Sequence, residues 1–111
     1  MTLDKTLEER GARYGSFAGH SRITQNIKRI IASGESYSRL DNSQREALEM
    51  IAHKIGRIVN GDPNYADSWH DIAGYAKLVE DELLDQEDRM SRELDQIRNE
   101  KLWSQRNKEV K

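Results

Sequence analysis

Four carboxylates sit on two amphipathic segments on either side of one turn. Glu46 and Glu49 are three residues apart, and Asp67 and Asp71 are four apart. Those spacings stack side chains on one side of a helix. The turn Asn60-Gly61-Asp62-Pro63-Asn64 joins the two segments, so a helical hairpin would carry the four acids toward one another. Magnesium takes oxygen ligands, keeps several waters and commonly holds phosphates, so such a set is a candidate metal site. A metal bound there would polarise a phosphoryl oxygen and acidify a water nucleophile. The plainer reading is that Glu46, Glu49 and Asp67 are surface charges. With 34% charged residues, an acid pair at this spacing arises often by chance. From spacing alone both readings stay open.

The other polar residues offer two further chemistries. His70-Asp71 is an HD dipeptide, with His53 upstream. Metal-dependent HD phosphohydrolases need another His, a distant Asp and a larger helical domain. His20, His53 and His70 are the whole supply here, and a solvent-facing or structural role fits each better. Arg10, Arg13, Arg22, Lys28 and Arg29 could neutralise the phosphates of a nucleotide, arginine being suited to forked contacts with them. Tyr14 or Trp69 could stack on a base, although Trp69 falls in line with Ile72 and Ala76 and so reads as core. The chain has no Gly-rich phosphate loop and no nucleophile elbow.

Length and composition bound these options. A chain of 111 residues suits one small domain. At 35% hydrophobic it is apolar-poor for a compact globule, so either part of it lies outside the core or a second subunit completes the core. It has no cysteine, which excludes disulfides and thiolate metal sites and fits a cytoplasmic protein. No apolar run reaches the length of a membrane span, and the N-terminus lacks the apolar stretch of a signal peptide. A net charge of −2 gives no overall attraction to duplex nucleic acid. Residues 1–79 carry eleven Lys/Arg and ten Asp/Glu, whereas residues 80–111 carry seven and ten.

The pattern of apolar residues is helical throughout. A first helix is expected over 2–12, capped by Thr2 or Asp4, with Leu3 and Leu7 on one face and a break at Gly15. Ser16 caps a second, over 17–33, whose stripe is Phe17, Ile23, Ile27, Ile30 and Ile31, with Gly34 as its stop. Ser43 with Glu46 matches a capping box for a third helix running to Val59. Its stripe is Leu48, Ile51, Ala52, Ile55, Ile58 and Val59, and its polar side carries Glu46, Glu49, His53 and Arg57. A fourth helix starts near Tyr65, with Trp69, Ile72, Tyr75, Ala76, Val79 and Leu83 facing inward. No Gly or Pro follows between Leu84 and Lys108. Val79, Leu83 and Gln86 repeat eleven residues later as Met90, Leu94 and Ile97, the period of a long helix with slight right-handed supercoil. The expected fold is an all-α bundle of about four helices, with a core over 1–84 and a helical extension over 85–111. The extension's narrow stripe calls for a partner helix. Its acidic start and basic end favour antiparallel pairing in a homo-oligomer.

Two stretches carry a resemblance. One is Glu9-Arg10-Gly11 with Tyr14-Gly15, then His20 and Gln25-Asn26-Ile27-Lys28. The other runs from Met50 to Tyr75, above all HKIGRIVNGDP and DSWHDIAGYA. Together they resemble a family of small proteins encoded by phages and prophages. More distantly, residues 7–84 are similar to nucleotide-modification-associated domains and to the all-α MazG-like nucleoside triphosphate pyrophosphohydrolases. The resemblance to those enzymes implies an oligomeric helical core with magnesium held by EExxE on one helix and ExxD on the next. Glu46 and Glu49 match the ExxE part as metal-binding and catalytic acids, and Asp71 matches the last acid of the second motif. Arg45 stands where the doubled acid would be, and Ser68 where the second motif starts, with Asp67 displaced by one. Lys28, Lys54 and Arg57 are the expected phosphate contacts. The implied function is a phage-type nucleotide-handling protein of the host cytoplasm, as a magnesium-dependent pyrophosphohydrolase. The alternative is a non-enzymatic oligomeric binding protein that inhibits a host defence protein or sequesters a nucleotide signal.

Overall fold

The structure is a computed structural model that describes residues 2–109. Four α-helices carry it, with no strand among the described residues: α1 Leu3–Tyr14, α2 Phe17–Ala32, α3 Asn42–Asn60 and α4 Ala66–Glu109. A 3₁₀ turn at Tyr37–Arg39 lies between α2 and α3. The helix starts follow from side-chain caps that satisfy amide groups otherwise left without a partner. Thr2 Oγ1 accepts from the Lys5 amide at 3.2 Å, and Ser16 Oγ accepts from the Gly19 amide at 3.1 Å. The α3 cap corrects the expectation. The capping box is Asp41 with Gln44, and Ser43 and Glu46 lie inside the helix. The Gln44 amide donates to Asp41 Oδ1 at 2.8 Å, and the Asp41 amide donates to Gln44 Oε1 at 3.0 Å. Both pairs share the same three-residue spacing, and the earlier one forms the cap.

Two compact units divide the chain, one ending at Val79 and the other beginning at Glu80. The first unit is built on α2 packed against α3, with α1 touching both. Small and polar residues make that contact. Ala47, Ala52, Gly56 and Ile58 are buried on α3, and His20 and Thr24 on α2. A Cβ at Gly56 would lie 3.0 Å from the His20 ring and closer still to Thr24 Oγ1, so glycine sets how near the helices come. Ala52 and Ile58 of the expected α3 stripe are thus buried as read, but the rest of the expected large residues are corrected in part. Ile55 lies at the edge of the core, and Val59, Ile30 and Trp69 are exposed. Trp69 instead donates from Nε1 to the Pro63 carbonyl at 2.9 Å, which fastens the turn before α4. The position beside it, Ser68, is buried. Periodicity counts bulky side chains, whereas close helix contact selects small ones, and here the second decided which face turns inward.

The end of α3 holds the joint between α1 and α2. Gly15 has φ 78°, the one positive φ among the described residues, and so turns the chain out of α1 in a region that favours glycine. Asn60 Nδ2 donates to the Tyr14 carbonyl at 2.8 Å and to the Ser16 carbonyl at 2.9 Å, on either side of that glycine. The Asp62 amide donates to the Arg13 carbonyl at 2.7 Å. A side chain at Gly61 would strike the Arg13 and Tyr14 backbone. The Asn-Gly-Asp segment is thus a backbone clamp as well as a turn, and it carries Arg13 and Tyr14 to the end of α3.

The second unit is a single helical stretch. Every described residue from Glu80 to Lys108 is exposed, among them Leu83, Leu84, Met90, Leu94, Ile97, Leu102 and Trp103. Its local ties are solvated, such as Arg92 with Asp88 at 2.9 Å one turn apart, a pair that contributes only a few tenths of a kcal/mol. Arg106 and Lys108 in the last turn complement the negative end of the helix dipole. No helix here is long and apolar enough to cross a membrane among the described residues.

Candidate functional site

The clamp brings three arginines to one place. Arg10 and Arg13 come from the last turns of α1, and Arg57 from the last turn of α3. The Arg57 guanidinium lies 4.2 Å from the centre of the Tyr14 ring, and that of Arg13 lies 4.4 Å from the centre of Tyr65. The two tyrosines meet edge to face at 6.4 Å, and Arg13 also donates from Nη1 to the Tyr65 hydroxyl at 3.3 Å. Stacking on the aromatic rings orients the cations without cancelling their charge. None of the three arginines forms an ion pair among the described residues.

Two neighbouring cavities share Arg10, Tyr14 and Arg57. One, of about 660 Å³, is also lined by Thr6, Glu9, Arg13 and Asp62. The other, of about 530 Å³, reaches Leu7, Phe17, His20 and His53. Its lining holds two guanidiniums and two imidazoles and no carboxylate. The imidazoles form a pair: His20 Nε2 lies 3.3 Å from His53 Nδ1, with the rings edge to face at 4.6 Å. Thr24 Oγ1 is 3.4 Å from the same His20 nitrogen. His20 Nδ1 is buried with no hydrogen-bond partner. Burial, and then the Arg57 charge, push His20 below its ordinary range against a smaller opposing effect of the Gly56 backbone. Burial and Arg57, with His20 next, push His53 down to about 4. At neutral pH the pair is therefore uncharged, and one ring N–H donates along the contact between them.

The four carboxylates behave differently. No group of three acids or histidines able to hold a metal occurs among the described residues. Asp71 Oδ2 pairs with Lys54 Nζ at 2.8 Å, where the lysine side chain is largely buried. That hydrogen bond holds the Asp71 carboxyl below its usual range. Glu46 and Asp67 are exposed and Glu49 is half-buried. Asp67 lies in the first turn of α4, where a negative charge favours the helix N-terminus. Of the expected phosphate contacts, Arg57 reaches the cleft. Lys54 is tied to Asp71, and half-buried Lys28 acts on the two histidines through its charge.

Fold and site together define a small all-α protein with a cationic, aromatic-walled cleft over a neutral histidine pair. Residues 3–82 match the family described as a domain of unknown function, DUF6378, and the chain belongs to that family. No curated protein and no solved structure matches it. Arg10, Arg13 and Tyr14, singled out in the sequence by type and by their place at a helix break, do line these cavities. The His20–His53 pair was not legible there, because thirty-three residues separate partners on two helices whose rotation small residues decide. The only local trace of it is His20 with Thr24, one helical turn apart.

Proposed function

We propose that this chain is a phage-type nucleotide-handling protein that acts by binding, sequestering a phosphorylated nucleotide signal in the cytoplasm of a host cell. The observation that carries this reading is the lining of the smaller cavity. Arg10 and Arg57 face it, no carboxylate opposes them, and Tyr14, Leu7 and Phe17 supply aromatic and apolar surface beside the charge. Arginine forks suit phosphoryl oxygens, and a flat aromatic ring suits a base. Hydrolysis by the pyrophosphohydrolase route would call on Glu46, Glu49, Asp67 and Asp71, no three of which gather in the fold. The binding alternative therefore has the stronger support. Self-association through the exposed apolar residues of α4 completes the reading, since Met90, Leu94 and Ile97 keep helical step and are exposed.

Calorimetric titration of the full chain with a panel of nucleoside mono-, di- and triphosphates, with and without magnesium, tests the proposal. Pyrophosphate release measured in the same mixtures separates binding from hydrolysis. Arg57→Gln should weaken binding about ten- to a hundredfold, the range for losing a hydrogen bond to a charged group. Arg39→Gln should leave affinity nearly unchanged, because Arg39 lines neither cavity. Absence of nucleotide binding by the unaltered chain at millimolar concentration overturns the reading.

A further inference from the structure

We infer that an oxyanion entering the smaller cavity is bound together with a proton on His53, so that the His20–His53 pair makes this site a proton-coupled anion receptor. The inference rests on the anion-binding reading above and adds how that site is regulated. Its basis is the placement of the pair. Both rings line the same cavity as Arg10 and Arg57. His53 Nδ1 is engaged with His20 Nε2, and His53 Nε2 has no hydrogen bond among the described residues. His20 is nine-tenths buried, and its Nδ1 faces only the Gly56 backbone, with no well-formed hydrogen bond. Two neutral imidazoles carry one N–H each, and with one of these donated along the contact His53 has room for one more proton.

Burial first, and then the charges around the pair, explain why that additional proton is missing in the free protein. From α3, Arg57 and Lys54 act on His53, and from α2 Lys28 acts on both rings. From α1, Arg10 and Tyr14 share the cavity. Glu9 and Asp62 line the neighbouring cavity, so no carboxylate in this one offsets the cations. A dianion seated on Arg10 and Arg57 cancels the repulsion that opposes the imidazolium. The proton comes from solvent and settles on His53, which then donates from Nδ1 to His20 and from Nε2 to the anion. His20 stays neutral. The ligand class that gains most is one carrying a dianionic terminal phosphoryl or sulfuryl group.

Sulfate is the probe, because it stays dianionic across the working range. Histidine ring signals followed by NMR between pH 4 and pH 8, with sulfate or with chloride at equal ionic strength, read the proton directly. In chloride His53 should titrate near 4. In sulfate it should titrate near its ordinary 6.5, and sulfate should then bind about twentyfold more tightly at pH 5 than at pH 7. Arg57→Gln should raise the His53 titration in chloride and reduce the difference that sulfate makes. If sulfate and nucleotides bind while the His53 titration stays put, the proton coupling is wrong and the anion site stands. If neither binds, the anion site falls and the coupling with it.

Discussion

Replacing glycine by alanine at three helical positions offers the sharpest test of the packing. Gly11, Gly56 and Gly74 lie inside α1, α3 and α4. In an exposed helix interior the change stabilises by about 0.5–1 kcal/mol, because alanine leaves the unfolded chain less freedom to lose. At Gly11 and Gly74 an added Cβ meets nothing within 4 Å, so both variants should show that gain. At Gly56 the same atom would lie 3.0 Å from Cε1 and Nδ1 of His20, where ordinary contact begins at 3.4 Å, and closer still to Thr24 Oγ1. Both neighbours are buried. Overpacking of this kind costs about 1–3 kcal/mol. Set against the helix gain, Gly56→Ala should be destabilising by up to about 2 kcal/mol, and it should fall about 1–3 kcal/mol below Gly11→Ala. Urea denaturation followed by circular dichroism, with unchanged slopes, gives all three values from midpoints. If Gly56→Ala stabilises as much as the other two, α2 and α3 are not in the close contact described, and the histidine pair loses its support.

Three further outcomes follow from the same geometry. Asn60→Ala removes two hydrogen bonds to the Tyr14 and Ser16 carbonyls and should cost about 1–3 kcal/mol, read from the denaturation midpoint. Acid should destabilise the fold across the histidine range. The folded His53 value of about 4 lies below its unfolded value near 6.5, so the unfolded chain binds more protons between them. Stability should hold above that window and fall as the pH drops from 6.5 toward 4, with the slope reduced in His53→Gln. Leu94→Asp, on the exposed stripe of α4, should lower the mass measured by light scattering without reducing the helical signal of the rest of the chain. An unchanged mass would remove Leu94 from any interface between copies.

The sequence by itself determined the local structure. Thr2 and Ser16 as caps, Gly15 as a break, the turn at Asn60-Gly61-Asp62-Pro63-Asn64 and an unbroken helix after it are all consequences of neighbouring residues, and all are present. Helix propensity and capping act within a turn or two, so nothing distant was needed to read them. The missed cap of α3 shows the same rule at its limit, since two overlapping pairs with the same spacing compete and only the settled chain shows which one acts. The inward faces were decided at the tertiary level. Ala52, Gly56, His20 and Thr24 meet because small side chains let α2 and α3 approach, which leaves Val59 and Ile30 outside, although their apolar character argued for the core. The same packing sets the histidines within reach of the Arg57 charge, and Lys54 takes Asp71. A side chain's type records what chemistry it can do, whereas its neighbours across the fold decide whether that chemistry has a partner.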